Sequence, residues 1–256
     1  MAAAINRRPF QGVTNIIRFN WHYYVLAILF IAALLISGFF LPVFFGTAAM
    51  IISVTIILSI LLSLAVSFYI YDLSDLYSLN WLNVLNIHDN NKLANISAGF
   101  DETSALLNAK FPNATLQAFD FYNPANHTEI SIERARKAYP AFPGTQKTST
   151  GNSGFKAHSF DYIFLILAAH EIRNREERIT FFKQLKEALR PDGKVIVTEH
   201  QRDAANFIAY NIGCFHFFSW GEWKWTFAGS GFTIESQFKV TPFITTYILT
   251  PDGTAA

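Results

Sequence analysis

The chain has 256 residues, the length of one large domain or of one domain with an appendage. Hydrophobic residues make up 51% and charged residues only 15%, against about 25% charged in soluble domains. A net charge of +1 excludes a dedicated nucleic-acid binder, the apolar content excludes disorder, and the single cysteine, Cys214, excludes a disulfide framework or a cysteine zinc cluster and fits a reducing compartment.

The apolar excess is concentrated: no Asp, Glu, Lys or Arg occurs between Arg18 and Asp72. Two runs fill this block, Tyr24 to Phe45 and Thr47 to Tyr71, and each is long enough as a helix to cross a hydrocarbon core of about 30 Å. Pro42 and Gly46 supply the turn between them. Residues 23–71 are therefore expected to form a two-helix transmembrane hairpin, preceded by a cytoplasmic segment, 1–22. A signal peptide would be shorter and end in a small-residue cleavage site. A buried hairpin in a soluble core is the competing possibility, but core helices seldom run so far without charge. Arg7, Arg8 and Arg18 precede the first run, the turn is uncharged, and all other basic residues follow Asp72, which puts both ends on the cytoplasmic side. Trp21, Tyr23, Tyr24, Tyr69 and Tyr71 bracket the runs as interfacial aromatics do.

Residues 72–92 read as a linker. From Leu93 strand and helix alternate: a strand at Leu93–Ile96, a helix from Glu102 to Phe111 stopped by Pro112, and a strand at Thr115–Phe119 stopped by Asp120. Thr128 and Glu129 open a second helix, with Arg134, Arg136 and Lys137, that ends before Pro140. Gly144 to Gly154 reads as an irregular loop with at most one short strand. Tyr162–Leu167 is a continuous apolar run, as for a central parallel strand buried on both faces. A helix follows from Arg175 to Leu189, ended by Pro191-Asp192-Gly193, and then a strand at Lys194–Thr198. Phe232–Val240 and Phe243–Leu249, joined only by Thr241-Pro242, can pair only antiparallel. The expected domain, 93–250 with a tail at 251–256, is thus α/β: a doubly wound, mostly parallel sheet with a C-terminal antiparallel strand pair.

This order of elements resembles the Rossmann-like fold of class I S-adenosylmethionine-dependent methyltransferases. Asn95-Ile96-Ser97-Ala98-Gly99-Phe100-Asp101 lies where that family has an acid and a glycine-rich turn, and Asp120 lies where an acid holds the cofactor's ribose. Phe160-Asp161-Tyr162 and Leu189-Arg190-Pro191-Asp192-Gly193-Lys194 are similar to later family signatures. With Gly99-Phe100-Asp101-Glu102-Thr103-Ser104, His170-Glu171-Ile172-Arg173 and Glu199-His200-Gln201-Arg202-Asp203, the chain looks like membrane-anchored methyltransferase-domain proteins of bacteria. The resemblance implies S-adenosylmethionine as cofactor, held by Asn95, Ser97, Ala98, Gly99, Phe100 and Asp120, and a catalytic domain on the cytoplasmic face of the inner membrane. Only Gly99 of the usual three glycines is present.

Ligands of open α/β sheets bind beyond the carboxyl ends of the strands. His170-Glu171 and Glu199-His200 each follow a central strand, so the two His-Glu pairs are expected to meet there as the catalytic group. His170 is the candidate general base or substrate orienter, with Glu171 or Glu199 fixing its tautomer; a purely structural ion-pair network with Arg173, Arg202 and Asp203 competes with this. A metal site from His170, His200 and the acids lacks a defined ligand spacing, and none is expected. The aromatic stretch from Asn206 and Phe207 through Tyr210, Phe215, His216, Phe217, Phe218, Trp220, Trp223 and Trp225 reads either as a packed cover or as an apolar lid against the bilayer. The expected function is methyl transfer to a lipophilic or membrane-resident small molecule. A non-catalytic anchored binding module and a nicotinamide-dependent oxidoreductase are the alternatives, the latter lacking an intact G-x-G-x-x-G.

Overall fold

The structure, a computed structural model, describes residues 7–126 and 129–253; the expected helix-opening Thr128 lies outside them. Three helices come first: α1 (Gln11–Phe19), α2 (Trp21–Phe40) and α3 (Val43–Phe68), the last running on into a π-helical turn at Tyr69–Leu73. Both α2 and the extended α3 are long and apolar enough to cross a membrane. Helix α2 buries none of its residues and α3 buries only Ala49, Ser53 and Ser67. This exposure is the reverse of what a soluble core hairpin would show. The turn between them is Leu41-Pro42 alone. Gly46, expected in that turn, lies inside α3, where a Cβ would come within 2.9 Å of the Gly38 carbonyl oxygen. Glycine here serves close approach of two helices.

Helix α1 was not foreseen. It turns Gly12, Asn15 and Phe19 inward, and its N-terminal amides are capped from far along the chain: Gly12 N and Val13 N donate to the two carboxylate oxygens of Asp72, at 2.7 and 2.8 Å. The segment read as a linker is also packed. Leu76, Leu79, Leu82 and Leu85 are buried, the last three against one face of the sheet around a 3-10 turn at Asn80–Val84.

The sheet has seven strands: β1 (Lys92–Ser97), β2 (Thr115–Asp120), β3 (Gln146–Lys147), β4 (Phe160–Ile166), β5 (Leu189–His200), β6 (Phe232–Thr241) and β7 (Ile244–Pro251). Their spatial order is β3-β2-β1-β4-β5-β7-β6. The first five run parallel, and β7 lies antiparallel between β5 and β6. Alternation along the central strands divides the core: Ile163, Leu165, Val195 and Val197 meet Phe181 and Phe182 on one face, while Phe164 and Ile196 meet Leu79, Leu82 and Leu107 on the other. Helices α4 (Ser104–Lys110), α5 (Ile130–Ala138) and α6 (Arg175–Ala188) supply the crossovers, and α7 (Ala204–Tyr210) and α8 (Trp220–Gly229) precede the final hairpin.

Two element boundaries differ from expectation for local reasons. Helix α4 starts late because the Asp101 side chain accepts from the amides of Thr103 and Ser104, stopping the helix at its own N-terminus. Pro191-Asp192-Gly193 does not sit in a loop after α6; it lies within β5, where Asp192 takes a left-handed φ of 65° and pairing with β4 slips between Phe160 and Tyr162.

Candidate functional site

The carboxyl ends of β1, β4 and β5 open into a cavity of about 240 Å³, roofed by α1. The roof is held by its cap on Asp72 and by Arg7, whose guanidinium pairs with Glu102 at 2.8 Å and lies 3.6 Å from the centre of the Tyr77 ring. Tyr77 in turn donates its hydroxyl to Glu102 at 2.6 Å.

Of the expected cofactor residues, Ser97, Ala98 and Phe100 line this cavity. Gly99 adopts φ +100° and faces a second opening, of about 620 Å³, together with Tyr122 and Arg136. Asn95 stands behind the turn, its side-chain amide donating to Thr103 Oγ1 at 2.9 Å and Ser104 Oγ at 2.8 Å. It supports the turn rather than walling the cavity. Two buried oxygens at the turn, Asn95 Oδ1 and Asp101 Oδ2, have no hydrogen-bond partner among the described residues.

Asp120 is buried at the end of β2 but is already engaged. Its Oδ1 accepts from Tyr122 N at 2.9 Å, and its Oδ2 accepts from Arg136 Nη1 at 2.7 Å and from Lys147 Nζ. Burial alone would raise its pKa, but the bonds from Lys147 and Arg136 prevail and hold the carboxyl below its ordinary value. Arg136 also donates to the Gly99 carbonyl at 3.1 Å and stands 4.4 Å from the Tyr122 ring centre. Its guanidinium therefore bridges the turn and the acid.

The two His-Glu pairs do meet, with unequal parts. A short 3-10 turn, Ala169–Glu171, follows β4 and carries His170 beside the end of β5. His170 Nδ1 lies 2.7 Å from Glu199 Oε2, its amide donates to Glu199 Oε1 at 3.2 Å, and its Nε2 lies 3.1 Å from Glu171 Oε1. Burial would lower the His170 pKa, yet the flanking carboxylates of Glu199 and Glu171 carry it to about 10. Both ring nitrogens therefore face carboxylates, Glu199 behind Nδ1 and Glu171 beside Nε2.

His200 differs. Asn206 Nδ2 donates to Asp203 and to the Phe243 carbonyl, so Asn206 Oδ1 accepts from His200 Nδ1 at 3.0 Å, leaving His200 Nε2 to accept from the Tyr71 hydroxyl at 2.8 Å. Burial pushes its pKa down to about 4. It is thus a neutral imidazole on the cavity wall, stacked on Phe217 with ring centres 4.5 Å apart.

Several cavity residues carried no sequence signal of their role. His216, which ends the 3-10 segment Asn211–His216, brings Nε2 to 3.7 Å from Glu171 Oε1 and Nδ1 to 3.0 Å from Glu129. Tyr71, the last residue of the second apolar run, lines the cavity from the π-turn that continues α3. The signals available were a histidine inside the aromatic stretch and a tyrosine next to the first acid after the block.

A third space, a groove of about 1180 Å³, runs along α2 and α3 past Tyr23, Ser59, Ser63 and Ser67. It shares Ile16, Asn20, Tyr71, Ser131, His216 and Phe217 with the cavity. The aromatic stretch divides accordingly. Trp223 and Phe227 are buried and pack with the sheet, whereas Phe207, Ile208, Ile212, Phe215 and Trp225 are exposed.

No protein-family model matches the sequence, and no curated protein matches it. Solved structures do. A Haloferax volcanii complex of a methyltransferase with its activator protein aligns with a TM-score of 0.52 at 9% identity, over 72% of this chain and 91% of the other. An S-adenosylmethionine-dependent methyltransferase from Aquifex aeolicus aligns with a TM-score of 0.50 at 14% identity, over 69% of this chain and 89% of the other. With the strand order and the antiparallel β7, these likenesses establish that the chain has the fold of the class I S-adenosylmethionine-dependent methyltransferases.

Proposed function

We propose that the protein is a membrane-anchored methyltransferase that uses S-adenosylmethionine to methylate a lipophilic or membrane-resident small molecule at the cytoplasmic surface of a bacterial inner membrane. The observation that carries this is the groove along α2 and α3, which shares a wall with the cavity at the strand ends. An apolar acceptor lying between the spans would present its polar head at that wall. The exposed Phe207, Ile208, Ile212 and Phe215 on and after α7 supply an apolar surface next to α3 suited to the lipid interface. Arg7, Arg8 and Arg18 before α2, with no charge in the hairpin turn, favour the cytoplasmic side for both ends.

The residues fit the cofactor at the turn. Left-handed Gly99 exposes backbone at the turn, beside Ser97, Ala98 and Phe100 on the cavity wall. When bound, S-adenosylmethionine supplies an electrophilic methyl group on a sulfonium. The chain then has to align the acceptor with that group and exclude water. Ser97, Ala98 and Phe100 shape the cofactor side of the cavity, and Asp120 would accept from the ribose once Arg136 moves off it. On the acceptor side, α1 covers the cavity, and the His200–Tyr71 pair offers a neutral Nε2 to which an acceptor proton can pass through the hydroxyl. His170, Glu171 and Glu199 orient the acceptor head.

One observation favours a second reading, a non-catalytic anchored module: Arg136 stands between Gly99 and Asp120, where a ribose would sit. A nicotinamide enzyme is disfavoured by β7, which breaks the all-parallel plan of dinucleotide-binding sheets. Calorimetry of the full chain in detergent micelles with S-adenosylmethionine separates the two main readings. Saturable binding is expected, and a folded sample that takes up none would leave the module. Incubation with cofactor labelled in the methyl group and a bacterial lipid extract should move label into the organic phase; label appearing only in water-soluble products would refute the lipophilic acceptor.

A further inference from the structure

We propose that His170, Glu171 and His216 form a binding site for a divalent first-row transition-metal ion at the inner end of the cavity. The ligand atoms His170 Nε2, Glu171 Oε1 and His216 Nε2 all lie within 4.8 Å of one another. Glu171 Oε1 is 3.1 Å from His170 Nε2 and 3.7 Å from His216 Nε2. An ion about 2.0–2.2 Å from each ligand requires ligand separations of roughly 3.0–3.5 Å, which the two contacts of Glu171 nearly meet, and the two imidazoles, within 4.8 Å of each other, close onto the ion by a rotation of the partly exposed His216 side chain.

The atoms behind the ligands carry the proposal further than the cluster alone. Each imidazole aims one nitrogen at Glu171 and the other at a separate carboxylate: His170 Nδ1 at Glu199, 2.7 Å away, and His216 Nδ1 at Glu129, 3.0 Å away. For His170, a carboxylate behind the non-ligating nitrogen is how metal-binding histidines are held in the tautomer that presents a lone pair; His216 Nδ1 also meets the Arg173 guanidinium, which can only donate, so His216 presents its Nε2 lone pair to an ion once Arg173 turns aside and Glu129 accepts from Nδ1. Glu199 is fully buried at the end of β5 and also accepts the His170 amide, so the ring it orients has little freedom to turn away.

Charge points the same way. Glu129, Glu171 and Glu199 converge here, and the nearby fixed cation is Arg173, which donates to the His216 carbonyl and contacts His216 Nδ1. A divalent ion bound in place of one proton on each imidazole leaves the total charge of the cluster unchanged. Two nitrogens and one oxygen select Zn²⁺, Mn²⁺, Fe²⁺ or Co²⁺ over Mg²⁺ or Ca²⁺, which prefer oxygen alone. All three residues line the cavity, so an oxygen- or nitrogen-bearing head entering it would meet the ion. His200, the histidine the sequence offered as a ligand, is turned to Tyr71 and Asn206 and takes no part.

The test needs no methyl transfer, so its outcome is independent of the proposed activity. The full chain in detergent micelles is stripped with a chelator and titrated with Co²⁺ while visible absorption is recorded, then competed with Zn²⁺. Wild-type protein should show a saturable Co²⁺ band that Zn²⁺ abolishes. His216→Ala and His170→Ala should each weaken uptake by more than about 100-fold, and Glu129→Gln and Glu199→Gln by about 10–100-fold. His22→Ala and His88→Ala, outside the cluster, should titrate like wild type. His216 is partly exposed on a 3-10 segment, so His216→Ala is the decisive variant if His170→Ala does not fold. Folded wild-type protein that takes up no Co²⁺, or a folded His216→Ala protein with wild-type uptake, overturns the site in favour of two protonated imidazoles among the carboxylates.

Discussion

Arg136 is the residue on which cofactor entry should turn. Its Nη1 bonds Asp120 Oδ2 at 2.7 Å and the Gly99 carbonyl at 3.1 Å, with the Asp120 side chain 5% exposed and that of Arg136 30% exposed. A hydrogen bond to a charged group is worth about 1.5–3 kcal/mol. Partial exposure of Arg136, and the charge that Lys147 keeps on Asp120, reduce what a ligand must displace to about 1–2 kcal/mol. Removing the guanidinium in Arg136→Ala returns that energy to the ligand, so S-adenosylmethionine should bind about 5–30-fold more tightly. The folded state should lose a similar amount of stability. Calorimetry on wild type, Arg136→Ala and Arg136→Lys in micelles reads the effect directly, with the lysine variant intermediate because it can keep one bond to Asp120. Unchanged or weaker affinity in a folded Arg136→Ala protein would show that the ribose does not compete with Arg136, and the placement of the site at Asp120 would fall.

Gly99→Ala puts a Cβ on a residue at φ +100° and 2.9 Å from Tyr122 Cδ2, which should cost about 1–3 kcal/mol of stability in thermal melts; a melting temperature equal to wild type would contradict the close approach. Asp72→Ala removes the acceptor for Gly12 N and Val13 N, so α1 should loosen by about 1–2 kcal/mol. Hydrogen exchange should then accelerate over Gln11–Phe19 and not in β4 or β5, and equal protection of α1 in both proteins would refute the cap. For Asp120 the sign of the pH effect follows from a folded-state pKa held below the ordinary value by Lys147 and Arg136 against burial. Its stabilisation is complete above the unfolded value of about 3.9 and disappears as pH falls through the folded value. Wild type should therefore lose stability below about pH 4 more steeply than Asp120→Asn, and parallel acid unfolding curves would oppose the assignment.

What the sequence disclosed divides along a physical line. The central strands were legible because burial on both faces leaves continuous apolar runs, as in Phe160–Ile166, and the two long apolar helices because the block from Phe19 to Tyr71 carries no Asp, Glu, Lys or Arg. Asp120, His170 and Glu199 were placed correctly at strand ends because chain order and strand direction dictate those positions. Their partners were not legible. Arg136 stood in the sequence as one of three cations on a helix, and His216 as one more ring in an aromatic stretch, because the groups that define them are distant in sequence: Gly99 and Asp120 for the first, Glu129 and Glu171 for the second. Helix α1 was missed for the same reason, since its cap, Asp72, lies beyond the whole hairpin. Even the Pro191-Asp192-Gly193 turn signal gave way once Leu189 paired with Phe160 in the sheet.

The same distance argument explains why the apolar hairpin belongs to the site. Asp72 and Tyr71 lie at the end of the second apolar helix, and they cap α1 and bond His200, so the roof of the cavity and one wall of it are tied to the apolar hairpin. A domain cut free at residue 72 or beyond would lose α1, the Tyr71 hydroxyl and the groove together. The hairpin is therefore a structural part of the cavity, and the local order of the cavity should depend on it even where the sheet does not.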